Sequence, residues 1–330
     1  MSGPEVSVII PAYNAAQFLR RAVESVRAQT YTAWEVLVVD DASSDDTGAV
    51  AEALQAELGD RMRYLRQARG GASVARNAGI AAARGRFLAF LDADDAFLPD
   101  KLARQLELFE RQPQLGLVFS DFTTVDLAGR RQRCFADPNL RALAAPHEEV
   151  APNLRVLTGD FFGFLLRQHF ISPITAMVRR SVLGDTIRFP VGLDYWEERV
   201  FFLSVAQVTP AGYVNEPLAI NHFVSGSLSR TDVMQNLAHR VRAVEEIARR
   251  FDAVGPEVRT TIRQELRTCV RALALARYKR GDFTAAAGLF ARCLRLQPSL
   301  RGMVHWCQAA VRAARTPGGD SAADSLRPIR

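Results

Sequence analysis

The sequence predicts an open α/β domain, with a mainly parallel sheet between two layers of helices, followed by an all-helical segment. Three observations lead there. Short continuous apolar runs alternate with helix-period segments through the first 120 residues. Three of those runs stop at aspartates, at Asp40, Asp92 and Asp121. From Asp232 onward only helical periodicity continues. A β-α-β-α order implies right-handed crossovers and a three-layer α/β/α arrangement.

Residues 6–10 form an apolar run without alternation, as a strand covered on both faces requires. Residues 15–29 have helical period, with Phe18, Leu19, Ala22, Val23 and Val26 on one face. Strand 35–39 follows. Ser43 or Ser44 is expected to cap a helix over 46–58, whose early acids favour the dipole. A short strand at 62–65, a helix at 73–83, a strand at 86–91, a helix at 101–112 and a strand at 117–120 complete the alternation. Residues 127–160 hold Pro138, Pro146 and Pro152 among clustered charges and read as a long functional loop with little regular structure. Residues 161–170 are strongly apolar and aromatic, 175–178 and 211–214 read as strands, and 197–206 as a helix. In the helical segment, Gly281-Asp282-Phe283, Ala286, Phe290, Leu294 and Pro298 have the spacing of one tetratricopeptide-like hairpin, and a single copy makes no array. The expected division is a catalytic domain over 1–231, with a first half to 120 and a second from 121, and a helical region over 232–330 whose last dozen residues are disordered.

Composition narrows the function classes. The 330 residues are 48% hydrophobic and 24% charged, as in a soluble globular protein. No apolar run reaches the roughly 18 residues of a membrane span. The N-terminus has no basic stretch ahead of its short apolar run, so no signal peptide is expected and the location is read as cytoplasmic. Cys134, Cys269, Cys293 and Cys307 show no metal spacing and read as free thiols. Residues 232–330 hold 18 Lys and Arg against 9 Asp and Glu, a balance of +9, which leaves −3 for residues 1–231. A basic tail suits an anionic surface, such as the inner face of the plasma membrane, and equally suits the solvated face of Arg-rich helices. It lacks the aromatic interleaving of a nucleic-acid reader, so no nucleic-acid partner is expected.

The chemistry gathers at strand ends. Open α/β sheets bind ligands outside the carboxyl ends of their strands. Here those ends read Pro11-Ala12-Tyr13-Asn14, Asp40-Asp41-Ala42-Ser43 and Asp92-Ala93-Asp94-Asp95. Carboxylates crowded at the rim of a buried strand repel one another unless a cation joins them. Mg²⁺ or Mn²⁺ would do so, bridging one or two carboxylates to a substrate diphosphate.

Four blocks, residues 6–14, 38–47, Ala75-Arg76-Asn77-Ala78-Gly79 and 90–95, closely resemble the family-2 glycosyltransferases in order and spacing. The resemblance covers residues 5 to about 120 and continues more weakly to about 230. It implies an inverting enzyme with the GT-A (Rossmann-like) nucleotide-sugar transferase fold. It also implies a nucleotide diphosphate sugar donor and a saccharide or lipid-linked saccharide acceptor, as in bacterial surface polysaccharide synthesis. By this resemblance Pro11, Ala12, Tyr13 and Asn14 line the nucleotide pocket, Asp40 and Asp41 meet the base and ribose, and Arg76 and Asn77 lie near the diphosphate. Asp92 and Asp94 form the metal pair, with Asp94 the direct ligand, and Ala93 sits between them against the donor.

An inverting transfer needs a general base for the acceptor hydroxyl. The family draws it from a Glu-Asp pair opening a helix. Glu197-Glu198 matches that register but departs from it with Glu at the second position, so Glu198 is the first candidate and Asp194 the second. His222 falls where a basic residue often contacts the diphosphate, and it is equally readable as structural. Two other readings compete: a sugar-phosphate nucleotidyltransferase, which would need a Gly-rich phosphate loop after strand one, and a degenerate transferase acting as a scaffold through its helical tail.

Overall fold

In the computed structural model, strands β1 (Val6–Ala12), β2 (Trp34–Asp41) and β4 (Phe87–Phe90) are buried along almost their whole length, which explains why their apolar runs do not alternate. The structure describes residues 3–134, 145–193, 195–223 and 233–315. The chain forms two compact units, Met1–Arg230 and Thr231–Arg330.

In the first unit, β3 (Met62–Gln67), β2, β1 and β4 lie side by side and parallel. The register pairs Ala12 with Asp40 and Ile9 with Phe90. Residues 13–14, 42–43 and 91–95 therefore leave the sheet along one edge, with Asp40 and Asp41 the last paired residues of β2. Helix α1 (Ala16–Arg27) buries Leu19, Ala22, Val23 and Val26. Helix α2 (Thr47–Leu58) starts without the expected serine cap. Ser43 Oγ instead accepts the Asn14 N–H at 2.9 Å, and Ser44 N donates to Asn14 Oδ1 at 2.9 Å. The two serines tie the second strand end to the first.

Helix α3 (Ala72–Ala82) lies on the sheet through Gly79, where a Cβ would stand 2.3 Å from Ile9 Cγ2. Gly79→Val is therefore expected to destabilise the protein by about 1–3 kcal/mol through overpacking. Its gain in helix propensity is only a few tenths of a kcal/mol. A denaturant midpoint equal to the wild type's would show that the helix does not need this approach.

Beyond β4 the sheet becomes mixed. After helix α4 (Lys101–Arg111), strand β6 (Leu117–Val125) runs parallel to β11 (Ala211–His222), and β10 (Ala176–Arg179) lies antiparallel between β4 and β6. Short β5 (Ala96–Phe97) pairs with β11, and β7 (Arg131–Arg133) with β6. The region expected as an irregular loop also contains a hairpin, β8 (His147–Ala151) and β9 (Leu154–Leu157), whose β9 adds to β11. Its two-residue turn places Asn153 at φ 64. Strands this short carry too few residues for a periodic signal, and their pairing is supplied by the edge of β11. The apolar stretch near 165 folds as α5 (Phe161–Arg167), capped by Asp160, which accepts the Gly163 N–H at 2.8 Å. A one-turn helix, α6 (Arg180–Leu183), and α7 (Glu197–Ala206) complete this unit.

The second unit is α8 (Val233–Phe251), α9 (Pro256–Lys279), α10 (Phe283–Leu296) and α11 (Leu300–Arg315), each packed on its neighbours in sequence. Gly281 at φ 83 makes the tight turn before α10, which Asp282 caps by accepting the Ala285 N–H. None of the described helices is long and apolar enough to cross a membrane. The tail from 316 lies outside the described residues.

Candidate active site

The β4 end and the start of α7 meet through one buried arginine. Arg76, on α3, donates from Nη2 to Asp92 Oδ1 at 2.7 Å and from Nη1 to Glu197 Oε1 at 2.9 Å. Its two acidic partners keep the guanidinium charged despite its burial. A ring cluster locks the same geometry. Phe189 stacks on Phe201 of α7 at 3.9 Å, and both meet Phe90 of β4 edge-on. The amide of Asn77, expected near the diphosphate, is bonded to this cluster. It donates to the Phe189 carbonyl at 2.8 Å and accepts the Phe189 N–H at 2.9 Å.

The carboxylates after β4 divide their work. Asp95 is buried and accepts from Asn221 Nδ2 and the His222 N–H, so it anchors the end of β11. Asp94 is only partly buried, and no side-chain hydrogen bond to its carboxylate occurs among the described residues. Burial first, and then the Asp92 charge, push its carboxyl up to about 6. Arg21, on α1, donates to the Asp94 backbone carbonyl. Ala93 is buried between the two acids.

These residues fit a divalent ion. Asp94 is a carboxylate made uncomfortable as an anion, beside a second carboxylate, and a hard cation relieves that cost. Among the described residues no three His, Cys, Asp or Glu side chains converge to enclose a metal. The fit is thus to an ion held by one or two carboxylates and completed by phosphate oxygens and water, as Mg²⁺ prefers.

Glu198 lies on the next position of α7. Its Oε1 is 3.3 Å from His169 Nε2, and its side chain keeps 23% exposure. Burial raises this carboxyl, but the hydrogen bond and charge of His169 outweigh it and hold it below the usual range. Adjacent Glu197 is driven the other way: burial and the Glu198 charge push it up to about 7, against the pull of Arg76. Two neighbouring glutamates therefore differ in character, one closed inside a salt bridge and one deprotonated and reachable from solvent. Trp196, at φ 66, opens the helix, and its ring lies 6.0 Å from that of His169. Asp194, the second base candidate, lies outside the described residues.

The side expected to take the nucleotide is built from loops that hold each other. Asp40 is fully buried, accepting the Ser43 N–H at 2.8 Å and the Tyr64 hydroxyl at 2.8 Å. Asp41 accepts from Gln67 Nε2 and from the backbone N–H groups of Gly70 and Gly71. Both carboxylates, expected to meet base and ribose, are engaged from inside the protein and shape the loops. Pro11 and Ala12 end β1, Asn14 turns away at φ 48, and exposed Tyr13 is covered by the Arg69 guanidinium at 3.1 Å. His222 hangs at the end of β11 with its Nδ1 buried and unbonded among the described residues. Burial, with Arg21 and Arg131 nearby, lowers its pKa, so the ring stays neutral.

Sequence reasoning did not assign roles to Glu197, Arg21, Arg69 or His169. For Glu197 a signal existed, as the first acid of the pair. For His169 there was none, since only folding brings it to α7.

A family model described as glycosyl transferase family 2 matches residues 7–185. The chain is 33% identical over 259 residues to the succinoglycan biosynthesis protein ExoO of Rhizobium meliloti, covering 76% of this chain and 70% of that one. The putative teichuronic acid biosynthesis glycosyltransferase TuaG of Bacillus subtilis is 42% identical over 229 residues, covering 68% of this chain and 82% of that one, whereas four other curated relatives are matched over 16% to 35% of their own length. Among solved structures, Staphylococcus aureus TarS 1–349 in complex with UDP-GlcNAc superposes at a TM-score of 0.61 with 19% identity, over 92% of this chain and 79% of that chain. The mannosyltransferase PcManGT of Pyrobaculum calidifontis, in complex with GDP-Man and Mn²⁺, superposes at 0.55 with 20% identity, over 96% and 87%.

Proposed function

Since the chain belongs to glycosyl transferase family 2 and has the GT-A fold, we propose that it moves a sugar from a nucleotide diphosphate donor to an acceptor hydroxyl by a metal-assisted, inverting single displacement. One observation carries the reading. Buried Arg76 couples Asp92, at the diphosphate edge, to Glu197, beside the base, so that the two halves of the reaction share one frame.

The donor's nucleotide rests along Pro11, Ala12, Tyr13 and Asn14, with Asp40 and Asp41 holding the walls of that pocket. Asp94 and Asp92 would hold a divalent ion, which when bound would offset the charge of the departing nucleotide diphosphate. Glu198 takes the proton from the acceptor hydroxyl as its oxygen attacks the anomeric carbon from the face opposite the diphosphate. One displacement from that face inverts the centre. His169 keeps Glu198 deprotonated and aimed, and His222 closes the rim of the donor side. Residues 1–231 form the catalytic domain, with the nucleotide half to 120 and the acceptor half beyond it.

The acceptor is a saccharide or lipid-linked saccharide of a bacterial surface polysaccharide, in keeping with the succinoglycan biosynthesis protein among its relatives. The site then faces the cytoplasm, and the basic helical region brings it to the inner face of the plasma membrane.

A panel of nucleotide sugars tests the donor reading. A cognate donor at about 100 times its Kd with Mg²⁺ or Mn²⁺ should stabilise the protein by about 2.7 kcal/mol, seen as a raised Tm. The same donor with EDTA should give little. No rise with any nucleotide sugar, with or without metal, would overturn it.

A further inference from the structure

The last described helix of the second unit has one face packed and one apolar face bare. In α11 only Ala309 is buried. Its inner side is settled: His305 stacks on Phe290 at 5.4 Å, and Arg312 lies over the ring of Tyr278 at 5.0 Å. On the outside Leu300 is 79% exposed, Val304 54% and Val311 50%, with exposed Cys307 at the same helical phase. Met303 and Trp306 widen this face and are 49% and 40% exposed. Contiguous apolar surface of this kind marks a contact with something absent from the monomer.

Charge selects the occupant. Residues 300–315 hold Arg301, Arg312 and Arg315 and no Asp or Glu, and α10 holds no acid either. A cleft of about 110 Å³ takes polar lining from Arg267, Arg271, Ser299 and Arg301 and an apolar floor from residues such as Phe290 and Leu294. Arg271 and Arg301 are exposed at its rim, while Arg267 is tied to Gln297 at 2.7 Å. A second copy of this face would bring arginines against arginines with no acid to meet them. Residues 316–330 offer only Leu326 and Ile329 as large apolar side chains, too few to cover it. An anionic bilayer meets both needs, with hydrocarbon for the apolar face and phosphates for the arginines. Basic amphipathic helices with an aromatic residue lie in such interfaces.

We propose that α11 is a membrane-interface helix, seating its Leu300–Val304–Cys307–Val311 face in the outer acyl region of an anionic leaflet, with a lipid phosphate in the Arg271–Arg301 cleft. This deepens the membrane contact proposed for the basic region, and its test reads binding and not turnover, so its failure is seen apart from any failure of the transferase reading.

The full chain is mixed with vesicles of phosphatidylglycerol and phosphatidylcholine, or of phosphatidylcholine alone, and sedimented at low and high salt. Binding is expected only to the anionic vesicles. Trp306 emission should shift to the blue on binding, a shift that Trp306→Phe removes. The pair Val304→Asp and Val311→Asp should weaken binding by about tenfold or more with Tm unchanged. Because these side chains are exposed, Val304→Ser with Val311→Ser gives the same reading with less risk to folding. Wild-type-like binding by both pairs, fully released by salt and without a Trp306 shift, would mean a charge contact only and overturn the insertion. A concentration-dependent dimer abolished by these substitutions, with no vesicle binding, would assign the face to a second copy and overturn it as well.

Discussion

Glu198→Gln is expected to lower turnover about 10²–10⁴-fold while leaving donor affinity nearly unchanged. Glutamine keeps the size and hydrogen-bonding reach of the side chain but has no useful proton affinity. Donor affinity should survive because Glu198 faces His169, whereas the proposed donor edge is at the Arg76–Asp92 pair. The pH profile gives a finer check. Burial raises the Glu198 carboxyl, and His169 more than reverses this, leaving it below the usual range. The base works deprotonated, so activity falls on the acid side as Glu198 takes up a proton. Replacing His169 by Gln removes the lowering influence, and the acid limb should move to higher pH. The loss is then largest in acid and recovers as pH rises. Steady-state kinetics across pH on the three proteins settle the point. If Asp194→Asn shows the collapse and Glu198→Gln does not, the base is Asp194, four positions earlier in the chain.

Asp94→Ala should reduce metal-dependent transfer by about 10²–10³-fold or more, the scale of losing one preorganised electrostatic partner of a developing charge. Stability should respond in the opposite direction. Burial and the Asp92 charge push the Asp94 carboxyl up to about 6, above its ordinary value of 3.8. A carboxyl raised in the folded state favours folding while protonated, and that contribution is lost as pH rises through about 6. Metal-free wild-type protein should therefore lose Tm between acidic and neutral pH. Added Mg²⁺ or Mn²⁺ should restore it, and Asp94→Ala should lack both effects. Calorimetry with EDTA and with metal measures all three. Full transfer activity of Asp94→Ala in EDTA would remove the metal from the mechanism.

Much of this molecule can be read along the chain. The buried strands β1, β2 and β4 announce themselves because a strand covered on both faces is mostly apolar. The acids at the end of β2 are buried too, and Asp40 and Asp41 are tolerated there because the adjoining loops hydrogen-bond both carboxylates. Parallel order then forces those ends to one edge, so Asn14, Asp40, Asp41, Asp92 and Asp94 were legible as a group before any coordinates. Helix α7 and its pair of acids were legible too, through periodicity and an acidic first turn.

What each polar group touches was decided only by the fold. Ser43 and Ser44 have the local chemistry of helix caps, yet they bind Asn14, because two loops at one sheet edge compete for the same donors. The β8–β9 hairpin takes its register from β11, a partner distant in sequence. Arg76 meets Glu197 across 121 positions, and His169 reaches Glu198 only once α5 and α7 have packed. Periodicity and capping are interactions within a few residues, so the chain displays them directly. Salt bridges, ring stacks and shifted carboxyls depend on burial and on neighbours brought together by packing. The sequence by itself therefore determined the fold class and the strand-end edge where the proposed chemistry gathers, and the tertiary structure alone decided which glutamate is sealed against Arg76 and which faces His169 with part of its side chain in solvent.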